Sequence, residues 1–382
     1  MTDRRTFLHG AAAASLAAIG LPATSAATLR EKRPLIIDAL GGIDNINRRG
    51  AGHDSATNDF GIDARALTDA KASGLNAFNM TIGHVFGDGD PYEKTVSDVH
   101  AWNAFIKRRS ADFLLVRSAA DIKRAQADGR LGVILGFQNA AMMGKDARRV
   151  AGFAKAGVRV IQLTYNGPNQ LGDGSMVPTN KGLTDFGRDV VAELNRNRVL
   201  VDLSHSGEQI CLDAAIASTA PVIISHTGCR AVADLPRNKT DKELRLVAEK
   251  GGFVGIYFMP FLAVGRQPMA ADLVTHIEHA INICGEDHVG IGTDGTVPQI
   301  DDMAAYMKRL EEEVRQRRAA GISAPGERPD IVPFLPDLTG RDKFWKLADL
   351  LAKRGHSSSR IEKILGTNFL RVADRVWSME KI

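Results

Sequence analysis

Two histidines carry the first chemical signal. Val201-Asp202-Leu203-Ser204-His205 and Val222-Ile223-Ile224-Ser225-His226 each run from apolar residues into a Ser-His pair. A third apolar run, Val289-Gly290-Ile291-Gly292-Thr293, ends at Asp294. Neutral imidazole is a good ligand for zinc-like ions, and a carboxylate nearby can take a proton from water. One histidine after an apolar run is more often a satisfied loop or core residue. Two in the same context, with an acid besides, point to a metal hydrolase.

Such residues act together only if the fold collects them. Eight short apolar runs lie at 35–38, 76–81, 132–137, 158–164, 199–204, 222–226, 253–258 and 289–294. They are nearly continuous in Val, Ile, Leu and Phe, as expected of parallel strands buried on both faces. Helical patterns separate them, and several end at a glycine just before the next strand, as at Gly74, Gly157 and Gly251. The alternation predicts an α/β fold, a (β/α)8 TIM-type barrel with extra C-terminal helices after residue 301. A Pro-rich break at 322–336 reads as a surface loop or a lid. An open doubly wound sheet is the alternative, but no G-x-G-x-x-G follows the first strand. In barrels of this kind the working residues sit at the carboxyl ends of the strands. That rule selects Asp38, Gln138, Asn139, Tyr165, Asn166, His205, His226, Tyr257 and Asp294.

The rest of the chain narrows the setting. Arg4-Arg5 precede an apolar run from Ala11 to Leu21 and a stretch of small residues through Ala27. Residues 1–27 are therefore expected to be a twin-arginine-type export signal, cleaved on the way to the periplasm or another exported location. Residues 28–382 form a single barrel domain in this reading. The apolar run is too short to span ~30 Å of hydrocarbon, so no stable membrane insertion is expected after cleavage. A net charge of +4 with no basic run speaks against a nucleic-acid partner. Cys211, Cys229 and Cys284 are an odd, scattered set, read as buried thiols rather than a disulfide framework.

Three segments resemble the membrane (renal) dipeptidase family. One runs from Gly182-Leu183-Thr184-Asp185-Phe186-Gly187 to Ser204-His205. The second is Ala220-Pro221-Val222-Ile223-Ile224-Ser225-His226, followed by Leu235-Pro236-Arg237-Asn238. The third is the C-terminal Ile361-Glu362-Lys363-Ile364-Leu365-Gly366-Thr367-Asn368-Phe369-Leu370-Arg371-Val372. The resemblance implies a barrel metallopeptidase that cleaves dipeptides with two bridged divalent ions, usually zinc. It implies that His205 and His226 ligate one ion and that Arg237 grips the substrate carboxylate. Asp294 would handle protons. Tyr165 stands where the family has a carbonyl-polarising His, and a hydroxyl can donate there too. Asn166 and Tyr257 join Arg237 as expected substrate contacts. Family members often dimerise, so a homodimer is possible.

The first ion's ligands are missing. The family's Asp-Gly-His-x-Asp pattern reads Asp38-Ala39-Leu40-Gly41-Gly42 here, and its bridging Glu is Gln138. Two dications ~3.5 Å apart repel by roughly 20 kcal/mol at an effective dielectric near 20. Without the anions a second metal is not expected. The expectation is one divalent ion, zinc by analogy, on His205 and His226 with Gln138 as a weak third ligand. His84 and His53 are further candidates for that third place. The substrate would be a dipeptide or related small amide. The alternative is a repurposed or inactive barrel, working as a non-peptidase enzyme or as a binding or maturation protein.

Overall fold

The computed structural model describes residues 26–48 and 59–378. All but the end of the expected export signal, and His53, lie outside them. Among the described residues nine strands run in chain order: β1 (Ile36–Asp38), β2 (Leu75–Thr81), β3 (Phe113–Leu115), β4 (Leu131–Phe137), β5 (Val158–Gln162), β6 (Leu200–Asp202), β7 (Ile223–Thr227), β8 (Phe253–Ile256) and β9 (Val289–Ile291). Every pairing is parallel, in the order β1-β2-β4-β5-β6-β7-β8-β9. The circle closes where Ala39 N donates to Ile291 O at 3.1 Å. This is the expected (β/α)8 barrel of eight parallel strands. The ninth strand, β3, pairs with β4 outside the circle. It is three residues long, too short for apolar periodicity to separate from a loop.

Local sequence explains the elements. β4 reads Leu131-Gly132-Val133-Ile134-Leu135-Gly136-Phe137 and is buried throughout, as a strand covered on both faces must be. The helix Asp241–Glu249 starts at a Thr240/Glu243 capping box. The helix Arg149–Ala156 stops at Gly157, whose φ of 108° turns the chain into β5. Four strands end earlier than the sequence suggests, at Gln162, Asp202, Ile256 and Ile291. At β6 the cause is visible: the Asp202 carboxylate accepts Ser204 N at 3.1 Å and Ser225 N at 3.0 Å, replacing ladder bonds.

The C-terminal helices close the amino-end mouth of the barrel. A π-helical turn, Lys363–Thr367, leads into the helix Asn368–Trp377. Asn368 donates to Val289 O at 2.8 Å, and Phe369 meets Phe253 edge-on at 5.4 Å. Gly366 lies so close to Leu35 that a Cβ there would sit 2.4 Å from its carbonyl oxygen. That mouth is filled, so the carboxyl-end mouth is the one left for chemistry. Over it lie the helix Met303–Ala319 and the loop to residue 340.

Candidate active site

β6 and β7 deliver the two histidines. Asp202 is buried at the end of β6 and accepts Ser225 Oγ at 2.5 Å. That bond uses the only hydrogen of Ser225 Oγ. The 2.9 Å contact from Ser225 Oγ to His226 Nδ1 therefore has the imidazole as donor. His226 carries its proton on Nδ1 and presents Nε2 as a bare lone pair. That Nε2 is buried and has no hydrogen-bond partner. Burial, then the Arg237 guanidinium, holds the ring well below its usual pKa, so it stays neutral.

His205 is fixed in the same sense. Asn166 Nδ2 donates to Ile322 O at 3.0 Å, which turns Asn166 Oδ1 toward His205 Nδ1 at 2.7 Å. His205 thus donates from Nδ1 and also offers Nε2 as a lone pair. Here the lone pair is taken: Arg237 Nη2 reaches it at 3.1 Å, while Arg237 Nη1 donates to Ser204 O at 2.8 Å. Burial and Arg237 again keep the ring neutral. The two imidazole centroids are 5.0 Å apart, and Tyr165 stacks on His205 at 4.3 Å. Burial keeps the Tyr165 phenol protonated, and its hydroxyl meets the Arg317 guanidinium.

Asp294 follows β9 in a left-handed conformation, φ 54°, with its N–H bonded to Leu40 O at 2.8 Å. Asp and Asn tolerate that region better than most residues. Burial pushes its carboxyl up to about 7; the Asp38 carboxylate adds to this, and Arg237 and Arg317 pull against it. Asp38 itself is buried at the end of β1 and accepts Thr293 N at 2.7 Å and Thr293 Oγ1 at 2.6 Å. Beside it lies Lys343, only 3% exposed, its Nζ donating to Thr296 O at 3.2 Å. Burial lowers the Lys343 ammonium to about 8, against the pull of Asp38.

A cavity of about 330 Å³ opens onto Tyr165, Asn166, His205, Arg237, Asp294 and Lys343. His226 lies just behind it. Arg237 is buried, 2% exposed, so it is no solvated surface arginine. Asn166 lines the cavity but spends its amide on His205 and Ile322. Gln138 does not join the histidines: its Nε2 donates to Thr81 Oγ1 at 2.7 Å, and it does not line the cavity. Tyr257 also lies outside the cavity wall. Its ring is fully buried and its hydroxyl is bonded to Asn238 Oδ1, so it braces the residue after Arg237 instead of meeting ligand. His84 is buried elsewhere, with its backbone N on Thr95 Oγ1. The three cysteines are free and buried, and burial raises their thiols, that of Cys284 to about 12. Sequence reasoning missed Lys343, Arg317 and Glu327. They come from the C-terminal third, where no strand-end rule applies, and they sit in charged stretches such as Arg315-Gln316-Arg317-Arg318 and Arg341-Asp342-Lys343 that single out none of them.

A sequence profile described as membrane dipeptidase (Peptidase family M19) matches residues 62–323. The chain belongs to the membrane dipeptidase family. A Klebsiella pneumoniae protein, described as an uncharacterized protein in the pqqA 5′ region, is 30% identical over 76% of this chain and 98% of its own. Dipeptidase tcpJ of Claviceps purpurea is 29% identical over 69% of this chain and 55% of its own. The crystal structure of an amidohydrolase from Pseudomonas aeruginosa superposes with a TM-score of 0.75 at 31% identity, covering 93% of this chain and 100% of that one. Family members are metal-dependent hydrolases, and this chain is a hydrolase of that family.

The family's metal chemistry meets a changed donor set here. Among the described residues no group of three His, Cys, Asp or Glu side chains gathers to hold an ion. Leu40, Gly42 and Gln138 bring no charge, and the Lys343 ammonium sits beside Asp38 instead. The residues do not fit a pair of ions. They fit one ion better, because two neutral imidazoles with centroids 5.0 Å apart both keep Nε2 as a lone pair and that of His226 is unpartnered. Serine and asparagine behind the rings fix the tautomers, the usual arrangement behind ligating histidines.

Proposed function

We propose that the chain hydrolyses a dipeptide or a related small amide bearing a free carboxylate, at a site built for at most one divalent ion. The unpartnered Nε2 of His226, buried beside His205 at the cavity that Arg237 and Asp294 line, carries this reading. His226 and His205 would hold the ion, expected to be zinc, and it would supply Lewis acidity at the carbonyl to be cleaved. The chain's own residues supply the rest. Arg237 keeps donors free beyond the two it uses and can grip a carboxylate. Asp294, poised near neutral pH, can take a proton from the attacking water and return it to the leaving amine. Tyr165 holds its proton and can donate to the carbonyl oxygen. The roof of the cavity limits bulk water.

One observation favours a second reading. Arg237 already occupies His205 Nε2, and a barrel that binds its ligand without cleaving it would keep that contact. Elemental analysis of the purified protein, run beside a dipeptide panel, separates the two. One bound ion per chain, lost in His226→Ala, together with turnover supports the hydrolase. No ion at any loading and no turnover rejects it. In the same proposal the paired arginines Arg4-Arg5 direct the protein to the periplasm.

A further inference from the structure

The cavity has two unlike sides. The polar side is His205, Arg237, Asn166 and Asp294 at the strand ends. Much of the remaining lining is apolar: Phe258 and Phe261 after β8, Tyr306 and Leu310 on the helix Met303–Ala319, and Phe334 and Leu338 in the loop beyond it. The arginines in this remaining lining are already paired. Arg317 grips Glu327 through two bonds of 2.8 Å, and Arg328 pairs with Asp330. Glu313 is exposed.

This wall is anchored rather than hanging free. Gln267 Oε1 accepts Val332 N at 2.8 Å, and Gln267 Nε2 donates to Phe334 O at 3.0 Å. Asp337 accepts Ala270 N at 2.9 Å, and Asn166 holds Ile322 O from below. Four ties fix the apolar side at a set distance from the polar one. Of the six apolar residues, Phe258, Phe261, Tyr306 and Leu310 lie within the stretch that matches the family profile, and Phe334 and Leu338 lie beyond it. A preformed apolar wall opposite a guanidinium favours a ligand with an acid at one end and greasy bulk at the other.

We propose that the site selects small amides whose free carboxylate is accompanied by a bulky apolar group, aromatic or branched aliphatic. The inference rests on the hydrolase reading above and names its substrate class. Dipeptides with a free amine and N-acylated amino acids share this chemistry.

The test has a kinetic arm and a binding arm. Gly-Gly and Ala-Ala are compared with Leu-Phe, and with N-acetylphenylalanine to distinguish the two sources. The bulky substrates should exceed the small ones by at least 30-fold in kcat/KM. Leu338→Asn, which sets an amide in the apolar wall, should shrink that ratio to within about threefold. A ratio near one in the unaltered protein overturns the proposal. In the binding arm, calorimetry should give 4-phenylbutanoate at least 10-fold tighter binding than butanoate. If no amide is cleaved but this preference holds, the hydrolase reading fails and the selectivity stands. Equal affinity for the two acids rejects the selectivity whatever the kinetics show.

Discussion

Replacing Asp294 by Asn should make the protein more stable and inactive at once. The Asp294 carboxyl stands at about 7 in the folded chain against 3.8 for the free group, with burial as the main cause. Between pH 4 and 7 the folded chain therefore holds a proton that the unfolded chain has released. Each step up in pH through that window favours unfolding, and the loss is complete above 7. At 1.36 kcal/mol per pKa unit, the ionised carboxylate costs the fold ~4 kcal/mol. The side chain opens on the cavity, so solvent screens part of this, and ~2 kcal/mol is the lower bound we expect. Asparagine keeps the shape, tolerates the left-handed backbone and never ionises. In urea unfolding with chelator present, Asp294→Asn should gain ~2–4 kcal/mol at pH 8 and no more than ~1.5 kcal/mol at pH 5. Hydrolysis by the unaltered enzyme should rise with pH through an apparent pKa near 7 and vanish in the variant. An equal gain at both pH values, or a loss at pH 8, would refute the reasoning, because Asp294 would then be an ordinary ionised acid.

Two further changes test the supports around it. Ser225→Ala removes the group that fixes the His226 tautomer; metal affinity by titration calorimetry should fall ~10–100-fold while the fold persists, and unchanged affinity would remove Ser225 from the site. Lys343→Met leaves Asp38 buried without its cation, which should cost ~3–5 kcal/mol in chemical denaturation at pH 7; a neutral result would mean that Asp38 is already protonated there.

Much of the site was legible because strand ends are legible. An apolar run that stops at Ser-His fixes the position of the imidazole, whichever residue formally ends the strand. Arg237 was legible only through the resemblance, since nothing in its local sequence says that it folds back 2% exposed onto His205. Tyr257 misled for a geometric reason. It stands at the end of β8, but its ring turns into the packing and its hydroxyl to Asn238, and a strand end does not say which way a side chain points. Gln138 misled in the same way, its amide turning to Thr81. Lys343 and the Arg317–Glu327 pair were beyond reach, because their place depends on long-range docking of C-terminal helices that periodicity does not encode.

The charges explain why the substitutions at β1 and β4 belong together. Two ions bring four positive charges and need anions around them. Here Gly42 and Gln138 stand in place of two of those anions and Leu40 in place of an imidazole, and an ammonium arrives from the far end of the chain. Asp38 and Lys343 leave that corner neutral without any ion. A dication forced in at ~5 Å from the ammonium would be repelled by roughly 7 kcal/mol at an effective dielectric near 20. At β6 and β7 the opposite holds: two neutral imidazoles lie side by side, and the Nε2 of His226 has no partner. In the proposed reading the barrel mouth is divided, with one corner closed to metal by its own charges and the other left open to a single ion. Restoring Leu40→His and Gly42→Asp alone should not recover a second ion while Lys343 stays in place.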